Sequence, residues 1–172
     1  MDFHFPSVGL LITHYNRSRS IERLLAGFEK LNCSFGAIVV SDDGSENAHL
    51  ERLLSLKSRF RFELVTAEKN KGLGNNINKG QDAIKTTYTL YVQEDFIPQP
   101  LFPQKLEFAV ECLDKMKETD IVRFYAYRKY PYLKPLANGF SEMILQPIRW
   151  GYEKFYFYSA PPHLRRSTFF DK

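Results

Sequence analysis

Val8-Gly9-Leu10-Leu11-Ile12-Thr13-His14-Tyr15-Asn16-Arg17 is an apolar run that stops abruptly in polar and aromatic residues, with Pro6 bounding it on the other side. Its length suits a strand, Val8 to Thr13, buried on both faces. After Arg17 the apolar period changes. Ile21, Leu24, Leu25, Phe28 and Leu31 recur at helical spacing, and Ser18 or Ser20 is available as N-cap. A buried strand, a polar tip and an amphipathic helix make one unit of a parallel α/β sheet.

The same unit recurs along the chain. Ala37 to Ser41 is a second strand, with a short helix behind it carrying Leu50, Leu53 and Leu54. Phe62 to Ala67 is a third, followed by a Gly-rich turn and a helix around Ile77 to Ile84. Tyr88 to Val92 is a fourth, with a helix carrying Leu106, Ala109, Val110 and Leu113, and Ile121 to Tyr125 is a fifth. Beyond Tyr125 the chain is rich in Pro and Tyr, with strands expected near Glu142 to Leu145 and Phe155 to Ser159. The expected fold is α/β, a mostly parallel Rossmann-like sheet with helices on both faces, in one domain spanning 1–172.

In such sheets ligands bind outside the carboxyl ends of the strands. Those ends read Thr13-His14-Tyr15-Asn16, Ser41-Asp42-Asp43-Gly44-Ser45, Glu68-Lys69-Asn70-Lys71-Gly72 and Gln93-Glu94-Asp95. All four fall on one edge. Asp42-Asp43-Gly44 is ordinary turn chemistry, yet a carboxylate there can also accept from a base N–H or a ribose hydroxyl. Glu94 and Asp95 close a buried strand, so they lie at its solvent edge or hold a cation; Mg²⁺ or Mn²⁺ suits one or two carboxylates plus phosphate oxygens. Gly72-Leu73-Gly74 is no dinucleotide fingerprint, because Ile77 takes the third glycine's place. Asn75, Asn76 and Asn78 read as capping and exposed surface, and Lys71 as a surface residue or a phosphate neutraliser.

With 172 residues and 44% hydrophobic content the chain can build a core without staples. Cys33 and Cys112 sit in segments that read as helix, without metal or disulfide spacing, which favours a reducing cytoplasmic setting. No run approaches the roughly 20 apolar residues of a membrane span. The net charge of +4 suits a phosphate-bearing ligand or peripheral contact with the inner face of an anionic membrane.

In this order and spacing the four segments resemble family 2 of the inverting glycosyltransferases, which have the GT-A nucleotide-diphospho-sugar transferase fold. The resemblance runs from Leu11-Ile12-Thr13-His14-Tyr15-Asn16-Arg17 through Ile38 to Ser45 and Glu68 to Gly72, to Tyr91-Val92-Gln93-Glu94-Asp95, with a shorter stretch near the end. It implies a nucleotide-sugar-binding half, 1–98, and a partial acceptor-side half, 99–172. Thr13 and Tyr15 would border the nucleobase, Asp42 or Asp43 would bind base or ribose, and Asn70, Lys71 and Gly72 would line the nucleotide and phosphates. Glu94 would lie near ribose or sugar, and Asp95 would ligate the metal, Mg²⁺ or Mn²⁺. The donor would be a nucleotide-diphospho-sugar and the acceptor a glycan or lipid-linked hydroxyl.

Two departures stand out. The first position of the metal motif is neutral Gln93, and the base the family carries after a basic, aromatic stretch, here Pro162 to Phe170, would fall beyond Lys172. A truncated protein is the expectation. Arg165, Arg166 and His163 read as an exposed basic turn or as groups facing the diphosphate.

Three other functions compete. A nucleotidyltransferase would carry a Gly-rich first loop, and Thr13 to Arg17 has no glycine. A non-catalytic nucleotide- or glycan-binding module is the main alternative. Nucleic-acid binding through Tyr125 to Tyr132 is disfavoured, because one cluster and a charge of +4 give a thin electrostatic footprint.

Overall fold

The structure, a computed structural model, describes residues 1–126, 130–144 and 160–169. In chain order the elements are β1 (Phe3–His14), α1 (Ser18–Lys30), β2 (Cys33–Asp42), α2 (Asn47–Phe60), β3 (Glu63–Val65), α3 (Leu73–Ala83), β4 (Tyr88–Gln93), α4 (Phe102–Lys115) and β5 (Ile121–Arg123). After them come β6 (Leu133–Pro135), β7 (Ser141–Met143) and β8 (His163–Arg166). Six strands form the main sheet in the order β3-β2-β1-β4-β8-β5, with β6 and β7 as a separate antiparallel pair.

The neighbours β3, β2, β1 and β4 are parallel, and β8 runs antiparallel to its partners β4 and β5. Alternation along the strands divides the core. Leu10, Ile12, Leu90 and Val92 face a cluster with Leu24, Leu53 and Leu106 of α1, α2 and α4, whereas Leu11, Val39 and Tyr91 face Ile77 of α3. The expected mostly parallel sheet with helices on both faces is what forms. Helix α3 lies very close to the sheet, because a Cβ on Gly80 would stand 2.4 Å from Leu11 Cδ1 and 2.8 Å from Ser41 Cβ. Glycine is what permits that approach.

Several local expectations are corrected. Strand β1 begins at Phe3 and passes through Pro6, where the pairing with β2 shifts register between Phe5 and Gly9; a proline, lacking an N–H, is tolerated at such an irregularity. Cys33 opens β2 rather than sitting in a helix. Helix α2 buries Leu53 and Leu56 and leaves Leu54 exposed. Arg17, not a serine, is the N-cap of α1, because the Ser18 hydroxyl pairs with His49 Nδ1 at 3.0 Å instead. Strands β3 and β5 are shorter than expected, and β7 stops before Leu145. Leu145, the segment Phe155 to Ser159 and the middle of the Tyr125 to Tyr132 cluster lie outside the described residues.

The largest correction is β8. His163 and Arg165 are fully buried between β4 and β5, so the exposed-turn reading fails. Neighbouring residues point to opposite faces. On one, Arg165 donates to Gln81 Oε1 at 2.7 Å and to His163 Nε2 at 2.8 Å; on the other, Arg166 donates to the Leu113 carbonyl at 2.6 Å, at the end of α4. Among the described residues no helix is long and apolar enough to cross a membrane.

Candidate active site

A crevice of about 250 Å³ opens at the carboxyl ends of β1, β2 and β4. The tip of β1 supplies Thr13, His14, Tyr15 and Arg17, the tip of β2 supplies Asp43, and the tip of β4 supplies Gln93 and Glu94. The loop before α3 and the first turns of that helix add Asn70, Gly72, Leu73 and Asn76. Six of the residues singled out from the sequence thus meet on one wall or another: Thr13, Tyr15, Asp43, Asn70, Gly72 and Glu94. Asp42, Lys71 and Asp95 do not line it. Neither do His163, Arg165 and Arg166, whose strand lies on the other side of β4 from β1.

Beneath the crevice the polar groups are tied to one another. Asp42 is fully buried, and its Oδ2 accepts the N–H groups of Gly44 at 3.1 Å and Ser45 at 3.0 Å. Its Oδ1 accepts from the Ser45 hydroxyl and from His14 Nδ1, the latter at 2.7 Å. The other ring nitrogen fixes the direction of that bond. Arg17 N–H donates to His14 Nε2 at 3.0 Å, and an N–H can donate only to an unprotonated nitrogen, so the ring proton sits on Nδ1. Burial opposes ionisation of Asp42, but the hydrogen bonds from His14 and Ser45 outweigh it and hold the carboxyl below the usual range.

Asp43 does different work one residue later. Its two oxygens accept the N–H groups of Lys71 at 3.0 Å and Gly72 at 2.9 Å, pinning the loop before α3 against the end of β2. Gly44, at φ 76°, is required there, because a Cβ would stand 2.5 Å from the Lys69 carbonyl carbon. Lys71 thus reaches the site through its backbone. Asn76 is buried rather than exposed: it accepts from the Ser41 hydroxyl at 2.7 Å and donates to the His14 carbonyl at 3.4 Å. Lys79 donates to the carbonyls of Asp42 and Val65, joining the ends of β2 and β3, and burial lowers its pKa.

The rim is looser. Tyr15 is 43% exposed. Arg17 Nη1 lies 3.6 Å from Glu94 Oε1 and 3.7 Å from Asp95 Oδ2, so both carboxylates converge on one cationic atom. Burial raises the pKa of Glu94, Asp95 adds to the rise, and Arg17 opposes it. That donor set of hard oxygens fits a divalent cation completed by ligand oxygens. Among the described residues no group of three or more His, Cys, Asp or Glu side chains is placed to hold a metal by itself.

His14 and Arg17 carry no site signal of their own in the sequence, and Asn76 reads there as capping and exposed surface. His14 and Arg17 stood in view inside the first polar tip. Asn76 carried no signal, because a polar residue on an early helical turn is most often exposed.

The comparisons agree with this architecture. The chain is 26% identical over 153 residues to the putative glycosyltransferase EpsH of Bacillus subtilis (strain 168), covering 78% of this chain and 44% of that protein. The fold is shared with S. aureus TarS residues 1–349, at a TM-score of 0.65 and 16% identity over 94% of this chain and 47% of that one. It is shared also with the mannosyltransferase PcManGT from Pyrobaculum calidifontis in complex with GDP-Man and Mn²⁺, at a TM-score of 0.54 and 17% identity over 69% and 36%. The chain therefore spans less than half the length of these relatives. The model of Glycosyl transferase family 2 matches residues 10–169, and the chain, with its GT-A sheet, belongs to that family.

Proposed function

We propose that this chain forms the donor site of a glycosyltransferase that moves a sugar from a nucleotide-diphospho-sugar to a hydroxyl of a glycan or lipid-linked acceptor, with inversion at the anomeric carbon. The observation that carries the reading is the single crevice in which Tyr15, Asp43, Asn70 and Glu94 meet from separate elements. Family membership and the nucleotide-bound relatives support it: S. aureus TarS 1–349 has a structure in complex with UDP, and PcManGT one in complex with GDP-Man and Mn²⁺.

In this reading Thr13 and Tyr15 border the nucleobase, with the Tyr15 ring stacked on it. Asp43 takes the base or ribose. Asp42, whose oxygens are occupied by its own turn and by His14, acts by holding Asp43 in place. Asn70, Gly72 and the Lys71 side chain meet the nucleotide and phosphates, and Glu94 lies by the ribose or sugar. Asp95, with Glu94, would hold Mg²⁺ or Mn²⁺, which when bound neutralises charge on the departing nucleoside diphosphate. Residues 1–98 are the donor half, and those from 99 contribute to the acceptor side. The acceptor hydroxyl attacks in line from the face opposite the diphosphate, and its base is assigned to none of the described residues. A cytoplasmic site of action, with peripheral contact at the inner membrane face, fits a lipid-linked acceptor.

Calorimetry with UDP and GDP, with and without Mn²⁺, tests the donor site. Binding that needs Mn²⁺ and weakens at least roughly tenfold in Asp95→Ala is expected. Equal binding by both proteins removes Asp95 from the site, and no binding of either nucleotide overturns the reading. Nucleotide binding without sugar transfer from any donor would favour a binding module over an enzyme.

A further inference from the structure

Arg17 stands beside both carboxylates that a divalent cation would use at the tip of β4. Its Nη1 sits between Glu94 Oε1 at 3.6 Å and Asp95 Oδ2 at 3.7 Å, and these are the only two carboxylates that the β4 tip offers. Both separations exceed a hydrogen bond, so charge rather than directional bonding holds the guanidinium there. The side chains of Arg17 and Asp95 are 62% and 60% exposed, and that of Glu94 is 12% exposed, so the pair with Asp95 is the one open to water. Ion pairs that open to water are weak and easily exchanged. The backbone of Arg17, by contrast, is anchored through its N–H on His14 Nε2, and its side chain makes no capping bond to α1. The guanidinium can therefore swing while its root stays fixed.

We propose that Arg17 is a built-in placeholder cation: its guanidinium and the metal compete for Glu94 and Asp95, and this competition ties metal uptake to the arrival of a nucleoside diphosphate. The inference rests on the donor-site reading. Without nucleotide, the two carboxylates have their positive partner already, and the neutral Gln93 adds no third charge to favour a divalent ion. A diphosphate changes the balance twice. Its oxygens complete the coordination that two carboxylates cannot, and they give the guanidinium fork an anionic partner of matching geometry. Arg17 leaves the carboxylates as it takes up the phosphates. Because coupling is reciprocal, the factor by which nucleotide tightens metal binding equals the factor by which metal tightens nucleotide binding, and Arg17 sets part of it.

The test measures free Mn²⁺ by electron paramagnetic resonance, with and without saturating UDP or GDP, in the wild type, Arg17→Gln and Arg17→Lys. Arg19→Gln, which removes an exposed charge from the same helix, controls for general electrostatics. Without nucleotide, Arg17→Gln should bind Mn²⁺ roughly two- to fivefold tighter than the wild type, the range of one exposed ion pair. Arg17→Lys should fall between them, and Arg19→Gln should match the wild type. With nucleotide the advantage of Arg17→Gln should disappear or reverse. Equal Mn²⁺ affinity of Arg17→Gln and wild type without nucleotide overturns the inference while leaving the donor site intact, and so does an equal gain in Arg19→Gln. Absence of nucleotide binding in every protein overturns the donor site and this inference with it, whereas nucleotide binding that Mn²⁺ does not strengthen overturns this inference alone.

Discussion

Asp42 ends β2 and Asp95 follows the end of β4 by two residues, on the two strands that flank β1, and they live in opposite surroundings. Asp42 is shut beneath the crevice with both oxygens occupied by Gly44, Ser45 and His14, whereas Asp95 stands at the rim, 60% exposed, beside the exposed end of Arg17. Buried polar groups must be satisfied by the protein itself, so the floor is rigid and has little bonding capacity left for a ligand. The rim groups Tyr15, Arg17 and Asp95 face solvent, which a phosphate, metal or sugar can displace. Stability should therefore reside in the floor and ligand affinity in the rim, and substitutions can separate the two.

The largest expected effect is at Asp42. Asp42→Ala strands two backbone N–H groups, the His14 ring N–H and the Ser45 hydroxyl in a buried site, at a cost of about 3–5 kcal/mol of folding stability. Thermal and urea unfolding would measure it. The loss should depend on pH with a definite sign. The folded pKa of Asp42 is depressed, so its contribution is complete above the unfolded value and fades as pH falls towards the folded one. The gap between wild type and Asp42→Asn should thus narrow below about pH 4. A loss under about 1 kcal/mol would show that the floor is not held as described.

A buried residue away from the crevice titrates in another window. His163 is buried against Arg165, and burial first, then the neighbouring guanidinium, bring its pKa down to about 3. Nδ1 donates to the Pro161 carbonyl at 2.8 Å, so the neutral ring is already placed by its neighbours. Below its unfolded pKa near 6.5 the unfolded chain binds a proton that the folded chain refuses, and stability falls with pH until about 3. His163→Gln should flatten the stability profile between about pH 6.5 and 4, by up to about 3 kcal/mol at the lower end. An unchanged slope in that window would place the acid sensitivity elsewhere.

The same contrast explains what could be read from residues alone. Strands β1, β2 and β4 are legible because burial on both faces demands a continuous apolar run, and the crevice is legible because the polar tips of such strands share an edge. The local sequence says less about partners. Asp42 and Asp43 are adjacent and chemically identical, and only the fold sends one into the floor and the other onto the crevice wall. Strand β8 is concealed for a similar reason. His-Leu-Arg-Arg reads as exposed until Gln81 and the carbonyls at the end of α4 are in place to receive the guanidinium groups. Arg17 lies far along the chain from Glu94 and Asp95, so nothing local announces that the three meet. Pro6 conceals the first residues of β1, because a proline normally marks a strand's end rather than a bulge within it.

Tyr15 carries the smallest expected cost to the fold and so gives the cleanest separation of rim from floor. Its ring is 43% exposed, and its hydroxyl takes no part in the network that joins His14, Asp42 and Ser45. Tyr15→Ala should change folding stability by no more than about 0.5 kcal/mol, as exposed positions usually do. A base stacked on an aromatic ring is worth roughly 1–3 kcal/mol, so nucleoside diphosphate affinity should fall about 5- to 150-fold. Tyr15→Phe, which keeps the ring face and loses only the hydroxyl, should retain most of it. Should Tyr15→Ala bind nucleotide as the wild type does, the base lies elsewhere and the rim's share of affinity belongs to Arg17, Glu94 and Asp95. Should it unfold the protein instead, the division between a supporting floor and a binding rim is wrong at the tip of β1, where the two regions meet.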